Sequence, residues 1–225
     1  MRLVLDVENT TTKRSGKMLL DPWEPGNFLV QVGTQNVDKP EETHIFTFDH
    51  VEYKDKTGRG ATLLQTILDE TSLLILHNAR HDMPWLWESG FNYDGAIYDT
   101  MIGEYLLLRG QKRSLSLDSC AEVRDLPSRK LDTLKEYYKK GYGTHEIPLA
   151  ELTEYLKCDL NVTRELFLAQ IVDYEQDDTK SMLNVRDISM KVCMTLCKMY
   201  TRGFKVDRAA LDQVRKEFED EKAEI

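Results

Sequence analysis

Residues 3–10 read "LVLDVENT", directly behind Met1 and Arg2. Leu3, Val4, Leu5 and Val7 are the aliphatic and β-branched residues that fit a pleated, covered surface, so the stretch predicts a strand over Arg2–Glu8. Asp6 and Glu8 interrupt the apolar run. Side chains alternate faces along a strand, so the two carboxylates point the same way. On a buried strand such a pair repels and loses hydration, and something must compensate. An edge strand with a solvated face is the competing reading.

Length and charge bound the rest. The chain has 225 residues, 41% of them hydrophobic, with a formal net charge of −9. That is enough to bury a core in one large domain, or one domain plus part of another. The acidic balance argues against a protein that coats nucleic acid by bulk charge. It leaves open a cleft in which cations supply the positive charge. Cys120, Cys158, Cys193 and Cys197 show no C-x-x-C or zinc spacing and read as reduced thiols. There is no secretory signal, and no apolar run approaches the roughly 18 residues of a membrane span. The expectation is a soluble protein of a reducing compartment, with no membrane partner.

Further along, "FLVQVG" (28–33) and "HIFTF" (44–48) read as strands joined to the first by hairpins, and a helix is predicted from about Ala61. "LLILHN" (73–78) is an uninterrupted apolar run that suits a doubly covered strand. A helix is then expected near Asp82, with Pro84 in its first turn. Asp99 is a predicted N-cap for the helix that follows. From Ser114 the pattern is helical. The longest helix runs from about Pro148 to Asp173. "QDDTKSM" (176–182) is a predicted bend, and Gly203 a predicted helix cap.

Two more acids stand out. In "PLAELTEYLKCDLNVTRELFL" (148–168), Leu149, Leu152, Leu156, Val162 (or Thr163) and Leu166 form an apolar stripe. Tyr155 and Asp159 lie on or beside that stripe, four residues apart. An acid on the inward face of a helix is unusual. In "ILHNARHDMPWL" (75–86), Asn78 ends the strand and Asp82 heads the next helix, where α/β sheets place their sites. Asp82 read by itself is a helix cap, and Asp159 a surface partner for Arg164 or Lys157. Read together, Asp6, Glu8, Asp82 and Asp159 form an all-oxygen donor set. Such a set suits Mg2+ or Mn2+, and a pair of those ions suits phosphodiester cleavage.

These residues resemble the DEDD superfamily of 3′–5′ exonucleases, in its tyrosine-bearing subgroup. "LVLDVEN" is similar to the D-x-E motif, "HNARHDMPWL" to N-x-x-x-D, and "YLKCD" to Y-x-x-x-D. "YDTMIGEYLL", the surroundings of the third motif and the tail from Met194 resemble family A DNA polymerases, and the likeness begins at the exonuclease's first strand, as in some phage polymerases. The resemblance implies an α/β fold: a ribonuclease H-like mixed β-sheet flanked by helices, with a helical C-terminal extension. It divides the chain into an exonuclease domain over 1–180 and a segment over 181–225 that resembles the start of a polymerase region.

It also implies roles. Asp6, Glu8 and Asp159 would hold one of two divalent cations, Mg2+ or Mn2+. Asp6, with Asp82 mostly through water, would hold the other. Tyr155 would orient the attacking water. Glu8 would lie near the terminal 3′-hydroxyl, and Asn78 and His81 near the substrate. The implied substrate is a single-stranded DNA 3′ end, and the implied partner is a polymerase region in cis or as a separate subunit. The implied setting is the cytoplasm of a bacterial or phage-infected cell. The alternatives are a stand-alone RNA exonuclease and an inactive scaffold bracing a polymerase. One departure concerns the apolar wedge that often follows the first motif. Here that place holds the polar "NTTTKRSGK" (9–17) and an extra loop.

Overall fold

The computed structural model describes residues 1–129, 133–176 and 181–223. The strands are β1 (Arg2–Asn9), β2 (Thr12–Arg14), β3 (Lys17–Leu19), β4 (Leu29–Asn36), β5 (Thr43–Thr47), β6 (Asp49–His50), β7 (Tyr53–Lys54), β8 (Leu73–Leu76) and β9 (Ala96–Asp99). The helices are α1 (Arg59–Asp69), α2 (Ala79–Glu88), α3 (Thr100–Leu107), α4 (Leu117–Val123), α5 (Thr133–Lys139), α6 (Leu149–Glu175), α7 (Ser181–Arg202) and α8 (Arg208–Ala223).

Five strands form one mixed sheet in the order β5-β4-β1-β8-β9. β1 is antiparallel to β4 and parallel to β8, so the "DVE" strand is central and hydrogen-bonded on both flanks. The edge-strand reading of Asp6 and Glu8 therefore falls. Residues opposite each other in an antiparallel ladder share a face. Val4, Asp6 and Glu8 stand opposite Gln35, Gly33 and Gln31, and these six form one face. Leu3, Leu5 and Val7 point to the other.

Each face is covered. Leu3, Leu5 and Val7 pack with Leu64 and Leu68 of α1, Met83 and Leu86 of α2, and Cys193 and Cys197 of α7. On the opposite face Val4 and Ile75 pack with Leu160, Phe167 and Tyr174 of α6. Both faces of β1 are thus sealed by helices, which explains why its apolar residues run almost without alternation. A fully buried leucine of this kind contributes roughly 1.5–3 kcal/mol.

Several expectations shift. β4 runs on to Asn36, and β9 is an additional strand. The polar "NTTTKRSGK" is ordered: β2 and β3 pair around Ser15 and Gly16, both at positive φ (50° and 79°), as a tight hairpin turn requires. α2 begins at Ala79, so Asp82 is not its cap and Pro84 lies inside the helix rather than in its first turn. The cause is the turn at Asn78, whose left-handed backbone (φ 75°, ψ 59°) starts the helix earlier. Asp99 caps α3 as expected, and the Gly203 N–H donates to the Met199 carbonyl beyond α7. The bend expected within "QDDTKSM" falls on 177–180, outside the described residues. Among the described residues no helix is long and apolar enough to cross a membrane.

Candidate active site

The site gathers where the C-terminal end of β1, the head of α2 and the middle of α6 meet. Asp6 and Glu8 are half-buried on the β1 face that α6 covers. α6 is seated against that face at three successive same-side positions of β4. The Gln31 side chain donates to the Thr153 hydroxyl at 3.0 Å, and Gln35 donates to the Asn161 side chain at 2.7 Å. Between them Gly33, opposite Asp6, leaves space for the helix. A Cβ there would lie 2.7 Å from Leu160 Cδ1 and 2.9 Å from Leu156 Cγ. A glycine inside a strand often marks such a close approach. Leu156 and Leu160 flank Asp159, so the residue opposite Asp6 sets how near the α6 acid comes to the sheet.

Asp159 is buried, 3% exposed. Its two basic neighbours on α6 are engaged elsewhere: Lys157 pairs with Glu154, and Arg164 donates to the Val37 carbonyl at 2.7 Å. Val162 and Thr163 are both buried, so the stripe includes both. Tyr155 is half-buried and packs on the cluster of Val30, Leu134, Ile147 and Leu152.

Asp82 is 2% exposed on the first turns of α2. Burial pushes its carboxyl well above the usual carboxylate range. The charges of Asp6, Asp99 and Glu8 push the same way, and only a hydrogen bond from the Val7 backbone opposes them. Asp82 therefore shares a field with both carboxylates of the first strand. Its Oδ2 is buried with no hydrogen-bond partner among the described residues.

The α2 head is fixed by a residue that sequence reading singled out only as a cap. Asp99, at the end of β9, accepts from Met101 and Ile102 at the start of α3. It also accepts from the backbone N–H groups of Asn78 and Ala79 at 3.2 and 2.8 Å. Asn78 supplies the left-handed turn, which Asn tolerates better than most residues. His81 is held 2.9 Å from Asn9 Oδ1, just past the first motif. His77 is a packed side chain between the Thr100 hydroxyl and the Leu115 carbonyl, 2.8 and 3.0 Å away.

The donor set fits hard divalent cations. It is made of carboxylate oxygens, and Asp6 and Glu8 lie close enough to Asp82 to raise its proton affinity. Among the described residues no three His, Cys, Asp or Glu side chains stand close enough to form a ready-made cage. Sequence reading missed Gly33, Gln31, Gln35 and Asn9. The signal for Gly33 was a glycine amid β-branched residues in "VQVGT". The two glutamines carried none beyond their odd spacing. The basic loop "LRGQKRS" is partly committed elsewhere: Arg113 pairs with the fully buried Glu104, which also binds Arg124 at 2.7 Å.

Residues 26–201 match the model of a family described as 3′–5′ exonuclease. Asp6 and Glu8 lie ahead of that span, on the strand that the matched elements flank. Among solved structures, NrnC of Brucella melitensis bound to pGG superposes with a TM-score of 0.63 at 17% identity, covering 92% of this chain and 88% of that one. NrnC is also known with bound Mg2+. Pol1 of M. smegmatis, in complex with DNA primer-template and dNTP, gives a TM-score of 0.63 at 20% identity. There 97% of this chain is covered but only 31% of that one. The catalytic core of RRP6 from Trypanosoma brucei, as a cysteine-to-serine mutant, gives 0.58 at 15% identity, over 86% and 46% of the two chains. The shared element is the fold, a ribonuclease H-like mixed sheet flanked by helices.

Proposed function

The chain belongs to the 3′–5′ exonuclease family of DNA polymerase A type, and from that premise we propose that it is a metal-dependent enzyme that removes nucleoside monophosphates from DNA 3′ ends. The observation that carries this reading is Asp82: a buried carboxylate with an unpartnered oxygen, in the field of Asp6 and Glu8. Two divalent cations, Mg2+ or Mn2+, supply the Lewis acidity, lowering the pKa of the attacking water and stabilising the leaving oxygen.

Asp6, Glu8 and Asp159 would hold one of the two ions, and Asp6, with Asp82 mostly through water, would hold the other. The Tyr155 hydroxyl orients the water. Water oxygen attacks phosphorus in line, the bond from phosphorus to the 3′ oxygen breaks, and the shortened strand keeps a 3′-hydroxyl. Glu8 lies beside the terminal 3′-hydroxyl, and Asn78 and His81 hold the last nucleotide. Proofreading in the cytoplasm beside a polymerase, in cis or as a separate subunit, completes the reading. It is supported by the polymerase type of the family. It is supported too by Phe204, Leu211, Val214 and Phe218, exposed apolar side chains in and ahead of α8. Residues 1–180 form the nuclease unit in this proposal. Residues 181–225 resemble the start of a polymerase region, with α7 seated on the sheet through Cys193 and Cys197.

A stand-alone RNA exonuclease is the second reading, favoured by the likeness of the fold to NrnC bound to pGG. A 5′-labelled single-stranded DNA oligonucleotide and its RNA counterpart, incubated with Mg2+, Mn2+ or EDTA beside Asp6→Ala, test both. A metal-dependent ladder shortening from the DNA 3′ end, lost in the variant, is the expected result. Preference for RNA would transfer the reading to the alternative. No cleavage of either by the folded protein would leave a scaffold.

A further inference from the structure

Beside the α2 head lies a cavity of about 250 Å3, lined among others by Leu20, Asn78, Arg80, His81, Trp85 and Tyr200. Three parts of the chain build it. One wall is the first turns of α2, which carry Asp82. The second is the loop between β3 and β4, the extra loop that takes the place of the apolar wedge. The third is Tyr200, near the end of α7.

The loop is constructed rather than slack. The Asn27 side chain donates to the Leu19 and Asp21 carbonyls at 3.0 and 2.9 Å and accepts from the Thr12 hydroxyl at 2.7 Å. The Trp85 indole N–H donates to the Leu20 carbonyl at 3.2 Å, tying the loop to α2. Tyr200 closes the far side: its hydroxyl donates to Asp21, and Trp23 stands edge-on to its ring at a centroid distance of 5.3 Å. Yet Leu20, Trp23 and Tyr200 remain 50%, 40% and 38% exposed. A loop held this firmly, with its large apolar side chains left open beside a catalytic helix, is shaped for a ligand. Arg80 lies over the Tyr200 ring, 5.1 Å from its centroid, and is exposed, so one cation is available at the rim.

We infer that this cavity seats one unpaired base of the substrate strand against Tyr200, whose ring Trp23 braces edge-on, with Arg80 on a neighbouring phosphate. The chemistry is that of single-strand binding: an aromatic platform for a base face and an arginine for the backbone, on an otherwise acidic protein. The inference deepens the proposed function and rests on it for the identity of the strand.

The test reads binding without cleavage. A 5′-fluorescein-labelled hexamer of thymidylate is titrated with the protein in EDTA and followed by anisotropy, beside the same hexamer made abasic at its three 3′-terminal positions. Tyr200→Ala should weaken binding of the base-bearing hexamer by roughly five- to 150-fold, the span of one base–aromatic stack. Tyr200→Phe, which keeps the ring and drops the Asp21 contact, should bind like the parent. The abasic hexamer should bind parent and Tyr200→Ala alike. Equal binding of both hexamers by the parent, or an unchanged Tyr200→Ala with native circular dichroism, overturns the inference. The cleavage assay fails separately: ring-dependent binding by a protein that cuts nothing sinks the exonuclease and leaves the base seat standing.

Discussion

Asp99 and Ala79 are joined across the end of the sheet: the carboxylate closing β9 accepts the first helical N–H of α2 at 2.8 Å. The same carboxylate caps α3, so one side chain fixes the starts of two helices, and one of them carries Asp82. Asp99→Ala leaves backbone donors of both helices without their acceptor. A cost of about 2–4 kcal/mol is expected, from one lost cap plus the buried donors left behind. Urea denaturation of the metal-free protein measures it. Stability within 0.5 kcal/mol of the parent, below the usual effect of a lost cap, would show that water replaces the carboxylate.

Gly33→Ala tests the approach of α6 to the sheet. The added methyl meets Leu160 and Leu156, and the helix must move away from Asp6. Overpacking of this kind costs about 1–3 kcal/mol. A shift near 1 Å at a reacting centre can cost about 100-fold in rate. Cleavage should therefore fall at least tenfold while the protein stays folded at 25 °C. Full activity in Gly33→Ala would mean that the two leucines give way without moving Asp159.

Asp82→Asn removes a buried carboxyl whose proton affinity burial and the charges of Asp6, Asp99 and Glu8 raise, so folding no longer opposes its ionisation. Metal-free at neutral pH, its melting temperature should exceed that of the parent by a few degrees, and Asp6→Ala should shift the same way. Millimolar Mg2+ should raise the parent's Tm and raise that of Asp82→Asn by less, because the variant loses a holder of one of the two ions and binding stabilises only the form that binds. Cleavage by the variant should drop at least 100-fold. A metal-free Asp82→Asn that melts below the parent would make Asp82 a structural residue.

Alkaline pH reads a different buried group. The Tyr174 hydroxyl donates to the Gly103 carbonyl at 2.9 Å, and burial pushes its pKa to about 12. In the unfolded chain a tyrosine loses its proton near pH 10. Between about pH 10 and 12 the unfolded state sheds the proton that the folded state keeps. Stability present below pH 10 is thus lost progressively as pH rises through that window. Tyr174→Phe should start less stable at pH 8, lacking the bond to Gly103, but lose less between pH 10 and 12. Parallel Tm curves for the two proteins across that range would exclude the linkage.

Much of this was legible in the residues. A strand of aliphatics cannot carry two same-side acids at its centre without a reason, and an acid among Leu152, Leu156 and Leu166 poses the same question. The long helix from about Pro148 and the cap at Asp99 follow from local chemistry alone. The start of α2 did not, because it is set by a left-handed turn at Asn78 and by an acceptor 20 residues later. Nor did β9, whose four residues are short and flanked by a glycine. The ordered hairpin at Thr12–Leu19 was read as a plain polar stretch, since its strands are only three residues each. Gly33 shows the limit best. Its role depends on a helix more than 100 positions away, and no local pattern encodes a distance to a distant neighbour.

The central position of β1 ties chemistry to topology in time as well as space. Asp6 leaves the ribosome about 150 residues before Asp159, and the strand between β4 and β8 cannot be sealed until α6 lies across it. On the proposed reading, a nascent or truncated chain ending before α6 has the first acids and no nuclease. The cell is spared a half-made hydrolase, and the biochemist gains a reporter. In a denaturant titration, cutting should vanish along the same curve as the helical signal, because no partly folded remnant can assemble the full set of acids.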